Sequence, residues 1–139
     1  MFSPWGWIPQ HLADCRPTVV PGISSFNAAN AALQQGVAGL GSLIISSGTE
    51  LGNADADRRL RSTLVLFTQR AKLDELLPKL QARYAADTPI AIVCDASYPA
   101  ERVIRGTLGT IRDKLGGEKL PQLYLVYVGD GIAAPPSCQ

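Results

Sequence analysis

Residues 89–107, PIAIVCDASYPAERVIRGT, hold an apolar run, 89–94, and a second run, RVIRGT (102–107), on either side of the polar stretch DASYPAE. The first run has the β-branched, apolar content of a strand buried in a sheet, and the second also reads as a strand. Parallel neighbours need a crossover of about a dozen or more residues, so a link this short implies an antiparallel hairpin. Parallel strands elsewhere in the chain would then make the sheet mixed.

Upstream, TLVLF (63–67) reads as another buried strand. The following QRAKLDELLPKLQARY (69–84) sets Leu73, Leu76, Leu77 and Leu80 on one helical face, with a kink expected at Pro78 because proline removes a backbone donor. SLIISS (42–47) is a brief strand, and GTELGNADADRR (48–59), rich in turn formers and mixed charge, is expected to be a solvent-facing loop. Further back, Thr18 to Val20 reads as the end of a short strand that breaks at Pro21-Gly22. Ser24 or Ser25 then caps a helix carrying Phe26, Ala29, Ala32 and Leu33 at helical spacing. Downstream, 108–115 is a short helix stopped by Gly116 and Gly117, LYLVYVG (123–129) is the last strand, and DGIAAPPSCQ is a fraying tail. Strands alternating with amphipathic helices give an α/β fold: a mixed, about five-stranded sheet covered by helices. Ligands of such sheets collect at strand ends. Three ends carry small polar residues: 21–25, Thr68-Gln69 and Asp95-Ala96-Ser97.

The 139 residues suffice for one domain with a core, and 46% hydrophobic against 18% charged residues excludes disordered and fibrous classes. A net charge of +1 offers no electrostatic basis for nucleic-acid binding. Cys15, Cys94 and Cys138 are far apart, with neither zinc spacing nor a disulfide framework, which suits a reducing compartment. The first residues lack the charged head and unbroken apolar run of a signal peptide, and no stretch approaches the roughly 18 apolar residues of a membrane span, so a cytoplasmic, membrane-free protein is expected.

Metal and side-chain catalysis find little support. His11 is the only histidine, and Glu50, Asp55 and Asp57 read as solvated loop carboxylates. GLGS (39–42) leads into a strand, not the helix that a phosphate loop requires. Arg58, Arg59, Arg61, Arg102 and Arg105 have the forked geometry that suits carboxylates, yet also read as ordinary surface arginines. Ser24, Ser25 and Thr68 each also have a plain capping reading, and Ala96-Ser97 an ordinary turn reading.

VVPGISSFNAANAAL (19–33), STLVLFT (62–68), DTPIAIVCDASYPAERVIRGTLGTI (87–111) and LYLVYVG (123–129) occur in the order and spacing of the tetrapyrrole (corrin and porphyrin) methyltransferases, which the chain resembles from about Thr18 to Ile132. The 87–111 stretch is most similar to the precorrin-4 methyltransferases. The family's glycine-rich GxGPGD loop and Gly-Gly-Asp segment, both of its first domain, have no counterpart here. The resemblance is thus to the C-terminal domain plus the last strand of the first, with residues 1–17 an unmatched leader, 18–132 the domain and 133–139 a flexible tail.

That resemblance implies S-adenosylmethionine as cofactor, held between two domains. It brings Ser24 and Ser25 to the cofactor through backbone and hydroxyls, Thr68 to a position where relatives often have a methionine against the ligand, Ala96 to the adenine through its backbone, and Gly129 to the same floor. Asp95 stands where relatives usually carry a basic residue. No catalytic side chain is implied. The implied activity is methyl transfer to a precorrin-4-like corrin precursor in cobalamin biosynthesis, by a partial chain that forms a homodimer or associates with a separate first domain. A non-catalytic binding or assembly module on the same fold is the alternative, and an unrelated nucleotide-binding α/β protein a third reading.

Overall fold

The computed structural model describes residues 22–34, 36–37, 41–48, 51, 55, 59–68 and 72–132. In chain order these form helix α1 (Ser25–Leu33), strands β1 (Leu43–Ser46) and β2 (Thr63–Phe67), helix α2 (Leu73–Gln81), strands β3 (Pro89–Cys94) and β4 (Arg102–Thr107), helix α3 (Ile111–Leu115), strand β5 (Tyr124–Val128) and a closing 3-10 turn (Asp130–Ile132). The strand expected at 18–20 and the tail after 132 lie outside the described residues. Asp55 and Arg59 have helical backbone, at odds with the loop expected over 48–59.

The five strands form one sheet in the order β1-β2-β5-β3-β4. Only β1 and β2 are parallel; β5 runs antiparallel to both of its neighbours, β2 and β3, and β3 and β4 form the hairpin expected from the short 95–101 link. The sheet is therefore mixed, as the first sequence stretch required.

Side chains alternate across the sheet and sort into two apolar layers. Leu64, Leu66, Ile90, Ile92, Cys94, Val126 and Val128 face α2 and α3, where Leu73, Leu76, Leu77, Leu80 and Ile111 cover them. Val65, Ala91, Val93, Leu125 and Tyr127 face the other way, under Ala29 and Leu33 of α1 together with Val37 and Ile132. The four α2 leucines are the stripe legible in the sequence, and each buried side chain contributes about 1.5–3 kcal/mol of transfer free energy. Pro78 sits within α2 on its exposed side.

Helix ends follow local chemistry where it is available. Ser24 caps α1, its hydroxyl accepting from the Phe26 N–H at 3.2 Å, and the helix closes on Gln34 in the left-handed region (φ 54°). The Arg105 guanidinium donates to Leu33 O at 2.7 Å and Ile132 O at 3.3 Å, clamping the carboxyl end of α1 to the closing turn. A cation at that end also complements the helix dipole. α3 begins three residues later than its pattern suggests, because Leu108–Thr110 form a turn, and it ends on left-handed Gly116.

Candidate functional site

The carboxyl ends of β2 and β3 and the amino end of β5 share one rim of the sheet. Register fixes this: Phe67 pairs with Leu125, which pairs with Val93, and Tyr124 pairs with Cys94. Two hydrogen bonds tie the strand ends together there. Thr68 Oγ1 donates to Tyr124 O at 2.6 Å, and Asp95 N–H donates to Leu123 O at 2.9 Å. Thr68 and Ala96 are thus brought to the two sides of the same residue pair, Leu123-Tyr124.

Thr68 is buried and its hydroxyl is committed to the Tyr124 carbonyl, leaving its methyl and backbone as the groups that can meet a ligand. Ala96 is half-buried against the apolar layer that holds Phe26 and Phe67. Among the described residues neither its N–H nor its C=O has a hydrogen-bond partner. Flanking it, Asp95 (φ 47°) and Ser97 (φ 70°) both occupy the left-handed region, which L-residues adopt only when the surroundings impose it. The Ser97 N–H donates to Glu101 Oε2 at 2.7 Å, closing the turn.

Ser24 and Ser25 are exposed at the start of α1. They lie on the face that also holds Ala96, since Phe26 packs on the same apolar cluster, and Ser24 performs the capping role. No hydrogen bond among the described residues joins them to Thr68 or Ala96. Gly129 is a correction: it follows β5, and its N–H donates to Pro89 O at 3.0 Å, so it sits at the opposite rim and cannot form a floor beneath Ala96. Its φ of 130°, and the 2.5 Å that would separate a Cβ there from Ser62 O, give it a tight-turn role instead.

Two rim residues escaped the sequence reading. The Tyr124 phenol accepts from the Leu73 N–H at 2.9 Å, supplying α2 with the cap that Lys72 does not provide. Burial pushes its phenol above the usual tyrosine range. Glu101 is the other. Neither position has a local motif: Tyr124 acts on a helix 51 residues away, and Glu101 acts within a turn whose backbone conformation spacing does not reveal. At the edge of the same rim Arg102 pairs with Glu118 at 2.6 Å, holding that carboxyl below the usual range, while burial pushes the adjacent Cys94 thiol up against the opposing pull of Arg102. With side chains 36% and 54% exposed, the ion pair contributes little to stability.

The rim offers a small-residue wall, unpartnered peptide groups and an apolar floor, features suited to an adenine-sized ring that hydrogen-bonds through its edge. Tyr98 and Leu123, 60% and 51% exposed, flank it.

The sequence profile of the tetrapyrrole (corrin/porphyrin) methylases matches residues 1–112, from the first residue to within α3. A precorrin-4 C(11)-methyltransferase of Sinorhizobium sp is 37% identical over 127 residues, covering 84% of this chain and 50% of the relative. The chain spans about half the length of the curated relatives it matches. The fold is similar to part of a cobalt precorrin-4 methyltransferase of cobalamin biosynthesis (TM-score 0.69, 21% identity, 92% of this chain and 59% of that one). It is also similar to part of a uroporphyrin-III C-methyltransferase from Thermus thermophilus complexed with S-adenosylhomocysteine (TM-score 0.63, 20% identity, 93% and 62%). With its profile match covering most of its length and its sheet shared with these enzymes, the chain belongs to the tetrapyrrole (corrin/porphyrin) methylases.

Proposed function

We propose that this chain supplies one wall of an S-adenosylmethionine site and serves methyl transfer to a corrin precursor of the precorrin-4 type in cobalamin biosynthesis. The observation that carries the reading is the rim: Thr68 and the Asp95-Ala96 turn flank Leu123-Tyr124 from either side, and the Ala96 peptide groups lack partners among the described residues. The names of the curated relatives support the substrate class, and the S-adenosylhomocysteine bound to a structural neighbour supports the cofactor. Ser24 and Ser25 would join the wall from the start of α1. Residues 18–132 would be the C-terminal-type domain, working in the cytoplasm.

S-adenosylmethionine supplies an electrophilic methyl group, and a reduced tetrapyrrole carbon is already electron-rich, so no nucleophilic side chain is required. What this chain's residues do is bind, orient and exclude water, contributions worth about 7–11 kcal/mol when attack geometry is complete. One wall alone is expected to bind weakly. A complete site with micromolar affinity corresponds to about −8 kcal/mol, and half the contacts leave binding near millimolar. Exposed Tyr98 and Leu123 beside the rim fit contact with a companion domain or a second copy of this chain, and a homodimer is the form proposed.

Isothermal titration with S-adenosylhomocysteine, alone and with a separately expressed glycine-rich first half, tests the reading. Millimolar binding alone and at least tenfold tightening with the companion are expected. No heat in either case refutes the cofactor assignment and leaves the non-catalytic module.

A further inference from the structure

We infer that Glu101 is a positioning residue for the ligand wall: its carboxylate clasps the 95–101 turn in the conformation that presents the Ala96 peptide. The inference rests on the reading of this rim as the cofactor wall. Two non-glycine residues in the left-handed region, Asp95 and Ser97, bracket Ala96. Such a pair persists only where other contacts over-determine the backbone.

The turn is held by Asp95 N–H to Leu123 O, Tyr98 N–H to Asp95 O and Glu101 N–H to Tyr98 O, each at 2.9 Å, and by Ser97 N–H to Glu101 Oε2 at 2.7 Å. The first three are backbone bonds that many sequences could make. The fourth is the one that a side chain encodes, and it lands on the residue after Ala96. Holding Ser97 N–H there leaves the Ala96 N–H and C=O as the half-buried peptide groups of the turn without a partner among the described residues, beside the apolar layer; the remaining unpaired peptide groups of the turn belong to exposed residues. The β3–β4 hairpin is separately secured by continuous pairing from Pro89↔Thr107 to Cys94↔Arg102, so loss of the clasp loosens the turn without unzipping the strands.

The test follows the Ala96 amide in the full-length ¹⁵N-labelled chain titrated with S-adenosylhomocysteine, with urea midpoints measured in parallel. Glu101→Ala is expected to weaken binding about tenfold and abolish the Ala96 response, because a charge-assisted bond is lost. Glu101→Gln, which keeps an acceptor oxygen, should bind close to the parent. Glu101→Ala combined with Ser97→Gly should recover binding, since glycine adopts φ near 70° without penalty. A purely structural role would shift the urea midpoint and would not be rescued in affinity by glycine. Wild-type binding strength and an intact Ala96 response in Glu101→Ala overturn the inference while leaving the cofactor reading standing. No Ala96 response in the wild type at millimolar ligand overturns both. If Glu101→Ala does not fold, the double variant decides: binding supports the clasp, and a folded double variant that fails to bind refutes it.

Discussion

Replacing Tyr124 by Phe isolates one hydroxyl. The ring, which packs against the α2 side of the core, is retained, so no cavity forms. What disappears is the acceptor for the Leu73 N–H at 2.9 Å, in a helix whose N-cap residue, Lys72, makes no side-chain cap bond. Losing a helix-terminal acceptor costs about 0.5–2 kcal/mol, and an orphaned, partly buried donor about 1–3, so a loss near 1.5 kcal/mol is expected. At roughly 2 cal/mol/K of unfolding entropy per residue, this lowers Tm by about 5 °C. The phenol also interacts with the Thr68 side chain, yet the Thr68 hydroxyl bonds the Tyr124 carbonyl, which the substitution keeps, so the rim should retain its geometry. The assay is urea denaturation combined with amide exchange at Leu73. Exchange there should accelerate along with the stability loss, while the Ala96 amide shift stays near its wild-type position. Unchanged stability with unchanged Leu73 exchange would refute the cap assignment.

Three further outcomes follow from the packing and electrostatics. Burial raises the Tyr127 phenol far above its ordinary value of 10.0, so above pH 10 the unfolded chain loses a proton that the folded chain keeps. Stability is then fully present below pH 10 and falls as pH rises, by about 1.4 kcal/mol per unit for this group; urea titrations at pH 8 and 11 should show a shallower decline in Tyr127→Phe. Arg105→Met removes the donors to Leu33 O and Ile132 O, and amide exchange in the last turn of α1 should accelerate, with a global loss of about 1–3 kcal/mol in urea. Leu77→Ala, at a fully buried position against β-strand side chains, should cost about 2–5 kcal/mol, with a loss below 1 kcal/mol contradicting the two-layer core.

Periodicity and loop length carried most of the fold. The short 95–101 link forced an antiparallel β3–β4 pair, and the leucine stripe at 73, 76, 77 and 80 located the covering helix, because both properties are local. The order of strands was not legible: that β5, last in sequence, inserts between β2 and β3 depends on side-chain layers that form only in three dimensions. This insertion sets Thr68 and Ala96 on either side of Leu123-Tyr124 at one rim and places Gly129 at the other, which motif register alone could not reveal. Tyr124 escaped for the same reason, and Glu101 for a local one. A phenol capping a helix 51 residues away leaves no trace in spacing, and a glutamate four residues past Ser97 is indistinguishable from a solvated one until the turn is seen.

The most direct test of the cofactor wall is isotope-filtered NOE spectroscopy on the labelled chain with S-adenosylhomocysteine. Adenine protons should show contacts to the methyl groups of Ala96 and Thr68. Contacts confined to Val37 or Ile132, at the opposite rim, would contradict the account.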